Sequence, residues 1–118
     1  MSRDGRSALP RLVAITDLSL LAPAVLVARL QQLAQRAQPG TLALLLRDHT
    51  ASALERLTLG KQLLAVARSA GQALWVADRL DLALLLEADG VHWGEGSVSA
   101  AVARRLVGPD VHVSRAWH

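Results

Sequence analysis

The chain has 118 residues, which suits a single domain, and 52% of them are hydrophobic, enough to build a core. It contains no cysteine, which excludes disulfides, thiolate nucleophiles and cysteine-based zinc sites and indicates an intracellular setting. The formal net charge of +3 is modest, and the basic residues are spread out rather than gathered in a patch with aromatic residues. Nucleic-acid binding is therefore not expected.

The N-terminal residues are polar. Residues 1–9 are predicted to form a flexible arm, and residues 10–118 to form one domain. A secretory signal is the alternative, because Arg3, Arg6 and Arg11 precede an uncharged stretch at residues 18–28. Asp17 directly before that stretch argues against a signal, and eleven residues are too few to span a bilayer. We expect a cytoplasmic protein that does not bind membranes.

Apolar runs and amphipathic stretches alternate along the chain. Residues 12–15 form the first run, and apolar residues spaced from Leu26 to Ala37 predict a helix that stops before Pro39 and Gly40. Residues 42–46 are apolar throughout, as expected for a strand covered on both faces.

The second helix carries signals at both of its ends. Ser52 and Glu55 have the spacing of a capping box, in which each side chain binds the backbone N–H of the other residue. An apolar stripe follows, formed by Leu59, Leu63, Val66, Ala67 and Ala70. Gly71 is predicted to end the helix in a left-handed conformation.

The pattern continues through three further strands. Residues 73–77 form the third run, followed by a short helix through about Glu87, and residues 90–93 form the fourth. Ser97 is predicted to cap a helix that closes at Gly108 and Pro109. Its apolar stripe comprises Val98, Ala101, Val102 and Leu106. Residues 111–114 form the fifth strand.

Strands that alternate with helices predict a right-handed, parallel α/β arrangement. The pattern leaves two architectures open, an open doubly wound sheet and a barrel. Neither GxGxxG nor GxxxxGK[ST] occurs, which disfavours a nucleotide-binding sheet. A complete barrel needs eight units and about 250 residues, whereas this chain has four and a half units.

Polar residues follow the predicted strands at their C-terminal ends, where chemistry gathers in β/α folds. These residues are Asp17, Arg47, Asp48, His49, Asp78, His92, Arg115 and His118. Structural alternatives exist for several of them. Asp78 is of a residue type that often caps a helix N-terminus. Arg47 and Asp48 could form a local ion pair, and His92 could be a buried imidazole with a hydrogen-bond partner. His112 alternates with two valines and is expected to point away from them.

The series of strand ends resembles the family of thiamine phosphate synthases and TenI-type thiazole tautomerases. The matching pieces are LVAITD (12–17), LLRDH (45–49), WVADR (75–79), ADGVHWG (88–94), LVGPD (106–110) and SRAWH (114–118). The resemblance covers about residues 10–118, and ADGVHWG is its most specific piece. This family has a (β/α)8 barrel fold. The resemblance therefore implies an α/β fold that is a partial TIM barrel, with about four and a half β/α units ending after strand 5.

The resemblance implies a site with partly replaced residues. Synthases join an aminopyrimidine pyrophosphate to a thiazole phosphate, and cations and Mg²⁺ stabilise the departing pyrophosphate. Arg47 matches a substrate-binding residue of the pattern Q-x-R-[ED]-K, in which His49 stands in place of the lysine. Asp78 matches a Mg²⁺ ligand, whereas Ala77 replaces an asparagine that binds phosphate. The second carboxylate ligand is missing from the turn after strand 4, where Glu95 is the nearest acidic residue.

The fifth strand is similar to the pattern G-R-S-x-H. Arg115 matches its arginine and is predicted to bind substrate, and His118 matches its histidine, the general acid/base of the tautomerases. Ser114 and Ala116 stand where glycine and serine are usual. An imidazole suits proton transfer because its ordinary pKa lies near neutrality.

We therefore expect a diverged or truncated member of this family acting in thiamine biosynthesis, more tautomerase-like than synthase-like. Mg²⁺ would be needed only by a synthase, and the expected ligand is a phosphorylated thiazole or pyrimidine. Barrel enzymes commonly bind phosphate with the loops after strands seven and eight, which leaves open whether this chain alone is an enzyme. The alternative is a non-catalytic partial barrel. Its unpaired edge strands predict homo-oligomers or pairing with a complementary barrel half.

Overall fold

The computed structural model describes residues 9–48, 50–93 and 100–115, in which strands and helices alternate strictly. The elements are β1 (Leu12–Ile15), α1 (Pro23–Arg36), β2 (Leu42–Leu46), α2 (Ala53–Ala70), β3 (Ala73–Ala77), α3 (Leu80–Leu85), β4 (Gly90–Trp93), α4 (Ala100–Val107) and β5 (His112–Arg115). The strands form one parallel sheet in chain order, so that β1 and β5 are its edges. The predicted parallel α/β arrangement is confirmed. The predicted arm falls almost wholly outside the described residues.

The two faces of the sheet pack differently. One face carries Leu44, Leu74 and Val91, which are fully buried against apolar residues of the helices. The other face carries a smaller cluster formed by Ala43, Leu45, Ala73, Trp75 and Ala77, to which none of the described helical side chains contributes. Helices on one side of a parallel sheet and side-chain layers on the other are the arrangement of a β/α barrel wall. We call the helix-free side the inner face.

Gln72 forms hydrogen bonds that link elements at the N-terminal edge of the sheet. Its side chain is fully buried, its Oε1 accepts a hydrogen bond from the Leu42 N–H at 3.0 Å, and its Nε2 donates to the Ala34 and Ala37 carbonyls at 3.1 and 3.2 Å. The end of α1 is thereby tied to β2 and β3. Because buried polar groups are costly without partners, one side chain satisfies several backbone groups here.

Asp89, directly before β4, forms an equivalent set of linking hydrogen bonds. Its fully buried carboxylate accepts hydrogen bonds from the Leu74 N–H at 2.9 Å and from Nη1 of Arg68 at 2.7 Å. Helix α2 is thereby joined to β3 and to the start of β4. A buried carboxylate is tolerated because its charge is paired and hydrogen-bonded.

The predicted signals of α2 are confirmed at both ends. Ser52 and Glu55 form the reciprocal capping box, and Gly71 ends the helix at φ 68°. Helix α3 is shorter than predicted and ends at Leu85, because Glu87 adopts φ 52°, which a helix cannot contain.

The predicted apolar stripe of α4 is wrong for the members whose side chains are described. Val102 and Leu106 are 42% and 55% exposed, whereas Val107 packs against the core. Helix α4 contacts α3 and β5, so its buried side is turned toward those elements and away from the predicted stripe. No helix in the described part of the chain has the length and apolar character needed to cross a bilayer.

Candidate functional site

The C-terminal ends of β1 and β2 border an open cleft of about 500 Å³. Its lining is formed by Ile15, Thr16, Asp17, Ser19, Leu20, Arg47, Asp48 and Thr50. Three of the predicted site residues, Asp17, Arg47 and Asp48, therefore lie together. They meet because the carboxyl ends of neighbouring parallel strands lie at the same edge of a sheet.

Hydrogen bonds between the two loops fix the shape of this cleft. Oγ1 of the buried Thr16 accepts from the Arg47 N–H at 3.0 Å, and the Thr16 N–H donates to the Leu45 carbonyl at 3.0 Å. Oδ1 of Asp48 accepts from the Leu18 N–H at 2.8 Å. The backbone from which Arg47 projects is thus held from both sides.

Arg47 offers its guanidinium to the cleft. Its side chain is exposed, and no carboxylate of the described residues pairs with it. The predicted alternative of an Arg47–Asp48 ion pair is wrong, because the Asp48 carboxylate binds the Leu18 amide instead. Asp17 accepts hydrogen bonds from the N–H and hydroxyl of Ser19, so it orders the turn after β1. The planar guanidinium of Arg47, exposed and without a carboxylate partner among the described residues, suits bidentate binding of a phosphate.

Asp78 follows β3 in a backbone conformation that is unusual for a residue other than glycine. Its φ is 60°, and its N–H donates to the His92 carbonyl at 2.9 Å. The alternative that Asp78 caps α3 is wrong, because Arg79 occupies the N-cap position. A left-handed residue with a side chain is strained, and such strain clusters at functional sites.

Arg79 and Asp81 pair with each other instead of facing the site. Nε and Nη2 of Arg79 donate to the Asp81 carboxylate at 2.8 and 2.6 Å. The hydrogen bonds from Arg79 lower the pKa of Asp81 to about 2, and they raise the pKa of Arg79. This pair fixes the first turn of α3.

Two layers of side chains occupy the inner face. The upper layer lies at the C-terminal ends of the strands, and the lower layer lies two residues earlier in each strand. In the lower layer the indole of Trp75 stacks on His112, with ring centroids 5.8 Å apart and planes inclined by 8°. In the upper layer Ala77, His92 and Ser114 are neighbours in register. Nδ1 of His92 lies 2.7 Å from Oγ of Ser114. The prediction that His112 points opposite to the valines is confirmed. The imidazole of His92 is hydrogen-bonded as predicted, but it is half-buried rather than buried.

The inner-face contacts were missed by sequence reasoning. The signal that points to them is the period-two alternation of β3 to β5, which sets Trp75, Gly90 and His112 on the same side of neighbouring strands. A glycine beside a tryptophan in register indicates that the ring lies over the glycine.

Several predicted site residues lie outside the described part of the chain. His49, Glu95 and His118 are not described, and of Arg115 only the backbone is, at the end of β5. Among the described residues, no group of three His, Cys, Asp or Glu is close enough together to hold a metal ion. Mg²⁺ is commonly held by one or two carboxylates together with substrate phosphates and water, and Asp78 is the described carboxylate that matches such a ligand by resemblance.

The parallel sheet, its one-sided helices and the polar residues at its C-terminal edge define the class of β/α-barrel proteins. Within that class, a family model described as thiamine monophosphate synthase (TMP-TENI) matches residues 12–118. The chain therefore belongs to this family, and the resemblance drawn from the strand ends is confirmed.

Individual relatives agree with this assignment. The thiamine-phosphate synthase of Chlorobium phaeovibrioides is 41% identical over 101 residues, which are 86% of this chain and 45% of the relative. That of Natronomonas pharaonis is 49% identical over 70 residues, which are 59% of this chain and 33% of the relative. The alignments thus span less than half of either curated relative.

A solved structure supports the fold. The thiamine phosphate pyrophosphorylase from Pyrococcus furiosus superimposes with a TM-score of 0.72 at 29% identity, over 96% of this chain and 50% of that one. The chain accordingly has the fold of part of a thiamine phosphate synthase barrel, as the predicted partial barrel requires.

Proposed function

We propose that this chain carries part of a thiamine phosphate synthase-type site, and that the site binds a phosphorylated thiazole and favours tautomerase-like chemistry over coupling. The observation that carries the proposal is the cleft at the ends of β1 and β2, which is lined by Arg47, an arginine that pairs with no carboxylate of the described residues. A phosphate monoester is the ligand group that best matches this guanidinium.

The replaced residues favour the tautomerase-like interpretation. At the end of β3 the buried methyl group of Ala77 stands where the synthase pattern has a phosphate-binding amide. A methyl group donates no hydrogen bond, so this strand end is less suited to hold a pyrophosphate. A thiazole phosphate has a single phosphate group, which Arg47 can bind without that amide. We assign the general acid/base role to His118 and further phosphate contacts to His49 and Arg115.

Mg²⁺ would serve a synthase by neutralising the departing pyrophosphate, and Asp78 is the residue that matches such a ligand. A proton shift on a thiazole ring develops no pyrophosphate charge, so it does not require this ion. We therefore propose a reaction that is independent of Mg²⁺.

Assays of both reactions with the purified chain, with and without Mg²⁺, test this proposal. We expect tautomerisation of the thiazole phosphate that is unaffected by a chelator, and a roughly tenfold higher KM in Arg47→Met. Arg29→Met is the matched control, because Arg29 is exposed on α1 away from the cleft. Robust Mg²⁺-dependent coupling of the pyrimidine to the thiazole would refute the proposal.

A second candidate function is non-catalytic association, and the edge strand β1 favours it. Leu12, Val13 and Ile15 are 59%, 52% and 50% exposed on a strand that, among the described strands, is paired only with β2. The unpaired backbone groups of an apolar edge strand can pair with a strand of another chain. We propose that the 118-residue chain forms dimers through β1.

Light scattering over a range of concentrations measures this association. Val13→Lys should shift the distribution to monomers, whereas Val25→Lys, at an exposed position on α1, should not. A monodisperse wild-type monomer with cooperative unfolding would exclude the dimer.

A further inference from the structure

Three leucines follow β1 in the turn that borders the cleft, and they differ in what they contact. Leu18 and Leu21 are partly buried and pack against the apolar core of the sheet and helices. Leu20 is 77% exposed and lines the cleft. Core packing therefore accounts for two of the three leucines, and the third presents its apolar surface at the mouth of the cleft.

Hydrogen bonds order the backbone of this turn. The Leu20 N–H donates to the Asp17 carbonyl at 3.2 Å, and the Ser19 N–H donates to Oδ1 of Asp17 at 3.0 Å. The Leu18 N–H donates to Oδ1 of Asp48, in the loop after β2, at 2.8 Å. Because the backbone is already ordered, a ligand that packs on Leu20 has to immobilise only its side chain, which lowers the entropic cost of the contact.

The cleft combines apolar side chains with one cationic group. Ile15, at the end of β1, is exposed and lines the cleft together with Leu20, and Arg47 provides the guanidinium. A volume of about 500 Å³ and an apolar lining with few polar groups are typical of small-molecule sites.

These side chains favour some phosphorylated ligands over others. Inorganic phosphate would use Arg47 and leave Leu20 in water. An aromatic ring attached to the phosphate would cover the apolar surface, which is favourable. A sugar in place of the ring would lose water from its hydroxyl groups against an apolar side chain, which is costly.

We propose that Leu20 is a specificity-determining residue that packs on the face of the ligand's aromatic ring while Arg47 binds the phosphate. Leu20 thereby selects an aromatic phosphate over a sugar phosphate of similar size, because specificity is a difference between two affinities. The choice of a thiazole as the ring rests on the proposed function, whereas the preference for an aromatic phosphate rests on the cleft itself.

Calorimetric titration of the full-length chain tests the proposal with thiazole phosphate, phenyl phosphate, ribose 5-phosphate and inorganic phosphate. We expect the wild type to bind the two aromatic phosphates about fivefold more tightly than the other two ligands. Leu20→Ala should weaken the binding of both aromatic phosphates about fivefold and leave that of inorganic phosphate unchanged. Because Leu20 is exposed, the variant should remain folded.

Three further variants separate the ring contact from other effects. Leu20→Met keeps a flexible apolar side chain and should retain the preference for aromatic phosphates. Leu85→Ala is the matched control, because Leu85 is 69% exposed at the end of α3 and does not line the cleft, so no affinity should change. Arg47→Met should weaken the binding of all four phosphates alike, since it removes the group that they share.

Equal affinities of the wild type for phenyl phosphate and ribose 5-phosphate, or an unchanged preference in Leu20→Ala, would overturn the proposal. A loss in Leu20→Ala that is the same for inorganic phosphate would show a structural effect and would overturn it as well. Binding of phenyl phosphate that depends on Leu20, without binding of thiazole phosphate, would support the role of Leu20 and refute the proposed function. Absence of binding of all four ligands would overturn both.

Discussion

The indole ring of Trp75 lies directly against the backbone of Gly90 in the neighbouring strand. A Cβ atom on Gly90 would fall 2.2 Å from Cε2 and 2.3 Å from Cδ2 of Trp75, both of them atoms of a rigid ring. The same ring stacks on His112, so it has little room to move away. Position 90 therefore requires glycine for as long as Trp75 fills the inner face.

Gly90→Ala should lower the free energy of unfolding by about 1–3 kcal/mol, the usual cost of overpacking. Urea unfolding followed by circular dichroism measures this loss. In a Trp75→Leu background the smaller side chain leaves space for the methyl group, and the cost of Gly90→Ala should fall markedly. Equal costs in both backgrounds would show that the ring and the glycine are not coupled.

Asp89→Asn should lower the free energy of unfolding by about 3 kcal/mol, because it leaves the charge of Arg68 without its buried partner. Asp81→Asn is the matched control. Asp81 also pairs with an arginine, but its side chain is 59% exposed, so solvent screening limits the loss to about 0.5 kcal/mol. The free energies of unfolding are measured with urea. Similar losses in the two variants would contradict the stabilising link that Asp89 makes between α2, β3 and β4.

Asp78→Gly should raise the free energy of unfolding by up to about 1 kcal/mol, because glycine adopts φ 60° without strain. Glu87→Gly, at φ 52° after α3, should have a similar effect on stability. Because the proposed reaction does not use Mg²⁺, both variants should bind the thiazole phosphate with the affinity of the wild type. A destabilised Asp78→Gly would contradict the strain at this position.

The capping box of α2 makes stability depend on pH in a defined direction. Hydrogen bonds from the backbone N–H of Ser52, and then those involving its side chain, lower the pKa of Glu55. The stabilisation from Glu55 is therefore full above its unfolded pKa and is lost as the pH falls through its lowered folded pKa. The difference in Tm between the wild type and Glu55→Gln should fade in acid. A difference that grows in acid would contradict this sign.

At neutral pH, Ser52→Ala should cost about 1 kcal/mol, the usual value of an N-cap hydroxyl. It should also raise the pKa of Glu55 toward its ordinary value, as followed by NMR of the side-chain carboxylate.

The strands and α2 were predictable because their signals are local. The continuous apolar run of β2, the capping box of Ser52 and Glu55, and the left-handed Gly71 each depend on a few neighbouring residues. The stripe of α4 was not predictable, because the side of a helix that is buried depends on which elements pack against it. The bonds of Gln72 likewise join residues more than thirty positions apart.

The site was predictable in place but not in detail. Polar residues after strands located the cleft, because parallel strands end at the same edge. Whether Asp48 would pair with Arg47 or with the Leu18 amide depends on the path of a loop from another unit, which no local pattern encodes. The bond between His92 and Ser114 depends on the register of β4 and β5.

The central claim is that the strand ends of this chain bind a thiazole phosphate through Arg47. The most direct measurement is a titration of the ¹⁵N-labelled chain with a thiazole phosphate, followed by ¹H–¹⁵N correlation spectra that include the arginine Nε–H signals. We predict shifts of the Arg47 side chain and of the Thr16 and Asp78 amides, and roughly tenfold weaker binding in Arg47→Met but not in Arg29→Met. Shifts confined to the opposite edge around Gln72, or equal affinity in Arg47→Met, would contradict the claim.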